Sequence, residues 1–326
     1  MKKEMYSSEV TLLRDTFRRL LRRHAKTNIV KLLDKTHPSD LALIFRYFND
    51  NEQDSIFSNM LPSEETVKFL YELDESIATR LIEGETAERL AEIMQQASSN
   101  EQAFLMGLVS DDFASSVIDL LQTEEQEELE EMMAYPEDSA GILMYTDVFT
   151  LHEDTKAREA IYALQDQEDA EMVFYLYTLD DDGRLTGVIS LRDLVTTPSE
   201  TMLKDIMSKN IQAVRAETDQ EEVARIVSQY NFLAVPVVDA SEKLLGIVTV
   251  DSVVDVIREE ATEDFLQLAG AGKDREILLK SSWENARIRL PWLFASWIGG
   301  ILAAFIIGVF DNILESTIAL AAFIPV

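Results

Sequence analysis

The chain has no cysteine in its 326 residues, which excludes disulfides and any thiolate metal site. Histidine is scarce as well, three in all. His24, His37 and His152 are scattered, so a zinc site built on imidazoles is excluded and each reads as a surface or capping residue. There is no Gly-rich phosphate loop, no nucleophile elbow and no histidine with a partner at motif spacing. The chain therefore reads as something other than an enzyme. The sharpest absence is positive charge: between Arg89 and Lys156 there is no Lys or Arg. That gap holds Glu92, Glu101, Asp111, Asp112, Asp119, the run Glu124 to Glu131, Glu137, Asp138, Asp147, Glu153 and Asp154, and the net charge is −31. Such a surface repels nucleic-acid phosphates, so no nucleic-acid partner is expected. Hard divalent cations, which take oxygen ligands, are its natural counter-ligands. A solvated face that aids solubility is the alternative.

What is present is, first, a long apolar run. Leu290 to Phe310 is uncharged, with Arg287 and Arg289 before it and Asp311 and Glu315 after it. As a helix it extends roughly 30 Å, the thickness of a bilayer's hydrocarbon core. A second apolar run begins at Ser316 and reaches Val326, too short to span. Lys273, Arg275 and Lys280 also precede the first run, so the positive-inside rule puts the amino-terminal side in the cytoplasm. The first thirty residues hold no apolar signal region. These features point to a chain that enters a membrane, with cytoplasmic amino-terminal domains. Trp283, Trp292 and Trp297 suit interface anchors, and Gly299, Gly300 and Gly308 suit close helix approach.

Residues 1 to about 135 read as helix after helix. In the first, Val10, Leu13, Phe17, Leu20 and Leu21 keep helical spacing while Arg14, Arg18, Arg19, Arg22, Arg23 and Lys26 fill the other face. In a chain this acidic, that basic face is expected to dock on the protein's own surface rather than on a membrane. Short amphipathic segments follow: 38–48, 62–73, 76–82, 87–94, 101–108, 111–121 and 124–133, most opened by Ser, Thr, Asp or Pro. Short helices with short links suggest a wound stack of helical hairpins.

Near Gly141 the pattern changes. Strand-like runs at 172–177 and 185–191 flank the turn cluster Asp180 to Gly183, which reads as a hairpin. Then the motif recurs: Gly183-Arg-Leu-Thr-Gly-Val-Ile-Ser-Leu-Arg-Asp-Leu-Val195 matches Glu242-Lys-Leu-Leu-Gly-Ile-Val-Thr-Val-Asp-Ser-Val-Val254. Upstream, Thr155 and Glu159 correspond to Thr218 and Glu222. Two copies at a spacing of roughly 60 residues form an internal duplication.

The repeat resembles a tandem CBS pair, and the succession of motifs resembles the MgtE family of magnesium channels and transporters. His37-Pro-Ser-Asp-Leu-Ala42 resembles the start of the family's helical domain, and Tyr135-Pro-Glu-Asp-Ser-Ala-Gly-Ile-Leu-Met144 its junction with the first CBS motif. Glu260-Ala-Thr-Glu-Asp264 resembles the end of the second motif. Arg289-Leu-Pro-Trp-Leu293 resembles the start of the first membrane helix and Phe323-Ile-Pro-Val326 a stretch of the second.

The resemblance implies a multidomain α and α+β chain. Its expected parts are a superhelical helical domain over 1–135, CBS motifs of βαβ type over 136–200 and 201–264, a connecting helix over 265–286, and over 287–326 the start of an α-helical membrane domain. It also implies a homodimer that is multi-pass in the plasma (inner) membrane, with the ion pathway in later membrane helices, so this stretch would hold the sensor and membrane entrance. In such a family Mg²⁺ bridges acidic faces that otherwise repel, which stabilises a compact, closed state. Acids matching the implied metal-binding faces are Glu101, Glu221, Asp255, Glu260, Glu263 and Asp264, with Asp251 nearby. Asn100, Asn231 and Ser252 stand where relatives carry acids, and neutral oxygens attract a divalent ion less. Fewer or weaker sensor sites are expected.

CBS pairs also bind adenine nucleotides such as ATP. The typical ribose contact, Ser or Thr followed three residues later by Asp, is met by Ser190 and Asp193, whereas Thr249 is followed by Ser252. A helix N-cap with an acid in the first turn explains the same pair. The rival to the channel reading is thus a membrane-tethered nucleotide sensor regulating a partner. A CBS-bearing exporter is a third reading, disfavoured because the pair precedes the apolar run.

Overall fold

The computed structural model describes residues 2–61, 63–166, 174–268 and 282–309. Met172, Val173, the middle of the expected connecting helix (269–281) and the second apolar run lie outside them. The chain divides into two compact units after Ile257.

The first unit opens with ten helices: α1 (Lys2–Arg22), α2 (Lys26–Leu33), α3 (Pro38–Phe45), α4 (Asp50–Phe57), α5 (Glu64–Tyr71), α6 (Glu75–Glu83), α7 (Ala87–Met94), α8 (Ser99–Gly107), α9 (Asp111–Ile118) and α10 (Thr123–Met133). Most run about two turns, too short to persist alone, so their stability comes from the shared core. Phe17, Ile29, Phe45, Ile56, Phe69, Leu81, Leu90, Leu105 and Leu129 are buried in one cluster that continues into the second CBS motif. Caps set the breaks: Asn49 and Glu52 form a reciprocal capping box at α4, and Ser63 and Thr86 accept from backbone N–H groups at α5 and α7. Part of the basic face of α1 docks on its own domain: Arg18 pairs with Glu52 at 3.5 Å and donates to the Tyr47 carbonyl at 2.6 Å, whereas Arg19, Arg22, Arg23 and Lys26 are exposed.

The CBS pair follows. After a short α11 (Ala140–Leu143) come β1 (Thr150–His152), α12 (Ala157–Asp166), β2 (Tyr175–Leu179), β3 (Leu185–Ser190) and α13 (Leu191–Thr196). The second copy is β4 (Val214–Arg215), α14 (Gln220–Tyr230), β5 (Ala234–Val238), β6 (Leu244–Thr249) and α15 (Val250–Leu268). Each sheet runs first strand parallel to second and second antiparallel to third. The parallel strands β1 and β4, of three and two residues, add a leading strand to the expected helix–strand–strand–helix order. The first hairpin strand sits at Tyr175–Leu179, displaced from the expected 172–177. Its turn puts Gly183 at φ 78°, and the matching Glu242 takes φ 67° without a glycine's freedom.

The two motifs are stitched by exchanged lead-in segments. The lead-in to the first pairs with the second: Ala140 N donates to Thr218 O at 2.8 Å, and Tyr145 and Ile247 exchange backbone bonds at 2.8 and 2.9 Å. The lead-in to the second pairs with the first: Leu203 N donates to Thr155 O at 2.9 Å, and Val188 and Ser208 exchange bonds at 3.1 and 2.9 Å. Two glycines admit the crossing chains. A Cβ on Gly187 would lie 2.4 Å from Met207 Sδ, and one on Gly246 would lie 2.5 Å from the Tyr145 carbonyl oxygen and 3.0 Å from Met144.

The second unit, from Arg258 onward, holds the end of α15 and α16 (Ser282–Val309). In α16 an unbroken set of described side chains, Leu293 to Ile306, is exposed throughout and includes Phe294, Trp297, Ile301 and Phe305. Among the described residues, no helix is long and apolar enough to cross a membrane.

Candidate functional site

Three of the seven expected acids come together. Glu101 near the start of α8, and Asp251 and Asp255 one turn apart on α15, line a pocket of about 460 Å³ between the helical domain and the second CBS motif. Asn100 and Ser252, two of the positions expected to be weakened by a neutral residue, line it as well, along with Tyr145. So do Glu72 and Lys68, which sequence reasoning missed. Ser39 donates to Glu72 Oε1 at 2.8 Å, and His37 caps α3 by accepting from Ser39 N, so the His37-Pro-Ser segment shapes the rim. The signal for Glu72 and Lys68 was absent, because only the stacking of α5 on α8 brings them to the pocket.

Local chemistry holds the acids apart. Glu101 Oε2 accepts from Ser98 N at 2.9 Å and from Ser98 Oγ at 2.7 Å, the carboxylate half of a capping box. Lys68 is an ammonium in the same pocket, paired to Glu64 one turn earlier on α5. Among the described residues no three His, Cys, Asp or Glu side chains converge into a coordination group. The pocket thus offers separate carboxylates around a wet space rather than a ready inner sphere. That geometry suits a hydrated Mg²⁺, which keeps several waters and is bound through one or two carboxylates.

Tyr145, on the lead-in segment bonded to Ile247, lines the same pocket. Burial holds its phenol above its ordinary pKa, and the Asp251 carboxylate adds to the rise. Hydrogen bonds with the side chains of Asn100 and Ser252 oppose it, and Glu101 adds a smaller push upward. Asn100 and Ser252 are each 5% exposed. Ser98 Oγ lies 2.8 Å from Asn100 Oδ1, so its one proton is shared between that oxygen and Glu101 Oε2. Ser252 Oγ lies 3.3 Å from Thr249 Oγ1.

The other expected acids lie elsewhere. Glu221 is in the first turn of α14, its N–H accepted by Asp219 Oδ1 at 2.9 Å, and it does not line the pocket. Glu260 and Asp264 are one turn apart on α15 within the second unit, and the side chain of Glu263 lies outside the described residues. Asn231 is the left-handed C-cap of α14, φ 54°, a position that favours Asn for backbone reasons alone.

The expected ribose pair forms a helix cap. Ser190 Oγ accepts from Asp193 N at 3.1 Å and donates to Asp193 Oδ2 at 2.7 Å, on the exposed start of α13. Its counterpart differs: Thr249 and Ser252 are both buried, 2% and 5% exposed, and each lines a pocket against the helical domain.

Comparison with known proteins bears on both places. Residues 36–138 match the MgtE intracellular N domain, and residues 140–200 and 203–259 match CBS domains. The magnesium transporter MgtE of Bacillus subtilis is 31% identical over 90% of this chain and 65% of its own length. That of Thermus thermophilus is 36% identical over 73% of this chain and 51% of its own. That of Enterococcus faecalis is 38% identical over 62% and 44%. The chain thus spans between 44% and 65% of the length of these relatives. A crystal structure of the cytosolic domain of the Mg²⁺ channel MgtE in complex with ATP superposes with TM-score 0.70 at 31% identity, covering 74% of this chain and 99% of that one. The soluble part of a magnesium transporter gives 0.67 at 27% identity, covering 77% and 99%.

Proposed function

Because this chain belongs to the MgtE family, we propose that it is the cytoplasmic regulatory part of a magnesium transporter, with domains divided as 1–135, 136–200, 201–264 and 265–286 ahead of a membrane segment. The observation that carries the reading is the pocket in which Glu101, Asp251 and Asp255 meet between the helical domain and the second CBS motif. Mg²⁺ held there by these carboxylates offsets their repulsion and favours the docked arrangement of the two domains, and the docked arrangement is the closed signal. Glu221, Glu260, Glu263 and Asp264 make up further, separate cation contacts. The relatives matched at these identities are transporters rather than enzymes, in keeping with the lack of a catalytic set.

The chain works as a homodimer at the membrane. Exposed apolar residues recur at matching places in the duplication: Phe174 and Val195 in the first CBS motif, Leu233 and Val254 in the second. Such pairs form a two-part apolar face suited to a second copy of the chain. ATP, bound by the relative's cytosolic domain, is the second ligand we assign, at the exposed Ser190–Asp193 pair.

Limited proteolysis of the chain with Mg²⁺ titrated at constant ionic strength tests the metal reading. Protection is expected to saturate in the millimolar range and to shift to higher Mg²⁺ in Glu101→Gln, Asp251→Asn and Asp255→Asn. Equal protection by monovalent salt would reduce the acids to a screened, solvated face.

A further inference from the structure

We propose that the outward face of α1 attaches the helical domain to an anionic membrane surface. Helices α1 and α2 precede the residues that match the MgtE N domain. They also concentrate positive charge: the first 35 residues carry ten of the chain's 29 Lys and Arg but only four of its 60 Asp and Glu. The fold sorts α1 into two faces. Phe17 is buried, and Val10, Leu13, Leu20 and Leu21 pack against the same core. On the flank, Arg14 pairs with Asp15 at 2.8 Å and Arg18 with Glu52 at 3.5 Å, so both cations are taken up within the chain. Further round the helix, Arg19, Arg22 and Arg23 are exposed, with Lys26 just past its end. Among the described residues no ion pair takes up any of these four. Leu12, 69% exposed, falls on one line with Arg19 and Arg23, seven and eleven positions along the helix. Tyr47, 53% exposed, flanks the stripe, its ring 6.0 Å from the Arg14 guanidinium.

Free cations around an exposed leucine, with a tyrosine beside them, are the pattern of a helix that lies on a bilayer. The cations meet lipid headgroups and the apolar tips reach the acyl boundary. A nucleic acid would use the charges and leave the leucine. The chain's own cation-free stretch is not the partner, because it lies in α8 to α10 while α1 packs on α2, α3 and α4. Nor does the net negative charge forbid the contact. Acids more than about 8 Å from the lipid are screened at physiological ionic strength, whereas the stripe touches it. Each such cation strengthens attachment about fivefold, so four together give several hundredfold on a chain already held at a membrane. The contact rests on the membrane setting proposed above and uses none of the pocket's acids.

The absence of cysteine makes the test direct. A spin label on Leu12→Cys, in the full chain reconstituted with vesicles, reports lipid contact through its accessibility to oxygen and to a water-soluble nickel reagent. All samples hold EDTA, because Mg²⁺ would neutralise the lipid. In phosphatidylcholine–phosphatidylglycerol vesicles the label is expected to enter the lipid, and in phosphatidylcholine alone to stay in water. Replacing Arg19, Arg22 and Arg23 together by Gln is expected to lower the bound-to-free ratio about a hundredfold. A label on Ser116→Cys, exposed on α9, is expected to stay in water throughout. A Leu12→Cys label that stays in water on anionic vesicles holding the chain, or that remains in lipid after the triple replacement, overturns the proposal. A label shielded only at high protein-to-lipid ratio, in neutral vesicles as well, assigns the face to a second copy and overturns it too. A chain that associates with no vesicle overturns the membrane setting along with it. Mg²⁺-dependent protection is read separately, so the sensor reading and this one can each fail alone.

Discussion

The two CBS motifs are built on one plan and put to different uses. At the first, the crossing segment brings Met207 and Ser208 over Gly187, and the start of the following helix, Ser190 with Asp193, stays exposed. At the second, the crossing segment brings Met144 and Tyr145 over Gly246, and the matching Thr249 and Ser252 lie buried beneath the helical domain. The side chains at the equivalent crossing positions differ too, serine at 208 and tyrosine at 145, and the tyrosine lines the pocket against the helical domain. Duplication thus yields one end for a soluble ligand and one end for a domain.

The two crossings agree in how they would answer a methyl group, and this is the largest effect expected. On Gly246 the added carbon meets a backbone oxygen at 2.5 Å, which moves only with the whole lead-in segment. On Gly187 it meets Met207 Cγ at 2.6 Å and Cβ at 2.7 Å as well as the thioether, and a Cβ moves only with its backbone. Gly246→Ala and Gly187→Ala are each expected to cost about 3 kcal/mol, read as denaturant midpoints. A much smaller cost at Gly187 would mean that the first crossing gives way where the second does not.

The open end should bind nucleotide and the sealed end should not. Ser190→Ala and Asp193→Asn are each expected to weaken ATP binding about tenfold in titration calorimetry, the scale of one or two lost hydrogen bonds. Thr249→Val is expected to leave it unchanged. A loss at Thr249 rather than Ser190 would reverse the assignment of the two ends.

Much of this plan was legible in the sequence, and the reasons for the rest are physical. The duplicated hairpins show because compact apolar runs flank matching Gly and Asp positions, and α7 sits at Ala87–Met94 as its apolar spacing predicts. Helix α4, Asp-Asn-Glu-Gln-Asp-Ser-Ile-Phe, escaped because it has almost no apolar stripe; only the Asn49–Glu52 cap announces it. Strands β1 and β4 are too short to leave a period. Of the site, Glu101, Asp251 and Asp255 were reached through the resemblance. Tyr145, Glu72 and Lys68 were not, since nothing in their own neighbourhoods distinguishes them until α5, α8 and α15 are brought to one pocket.

The smallest effect expected is electrostatic and confined to the first crossing. There Asp154 Oδ1 is 2.7 Å from Lys204 Nζ, and Glu200 takes Lys156 at 2.7 Å and Arg158 at 3.0 Å. The second crossing has Gly141 where the first has Lys204, so the side chain that makes the pair is missing there. A hydrogen bond from Lys204, then its charge, holds the Asp154 carboxyl below its ordinary pKa, and Lys156 does the same for Glu200. A depressed carboxylate stabilises the fold above its unfolded pKa, about 4, and that contribution is lost as pH falls through the lower folded value. Lys204 is raised by Asp154 in turn, so its share is present below its ordinary pKa and lost in strong base. All three groups are in solvent, so salt should screen the effect. Melting temperatures of wild type and Lys204→Met should differ slightly near neutrality and converge below about pH 4. A difference that persists in acid would place the role of Lys204 in packing of its aliphatic stem, and the first crossing would then be held as the second is, by contact rather than charge.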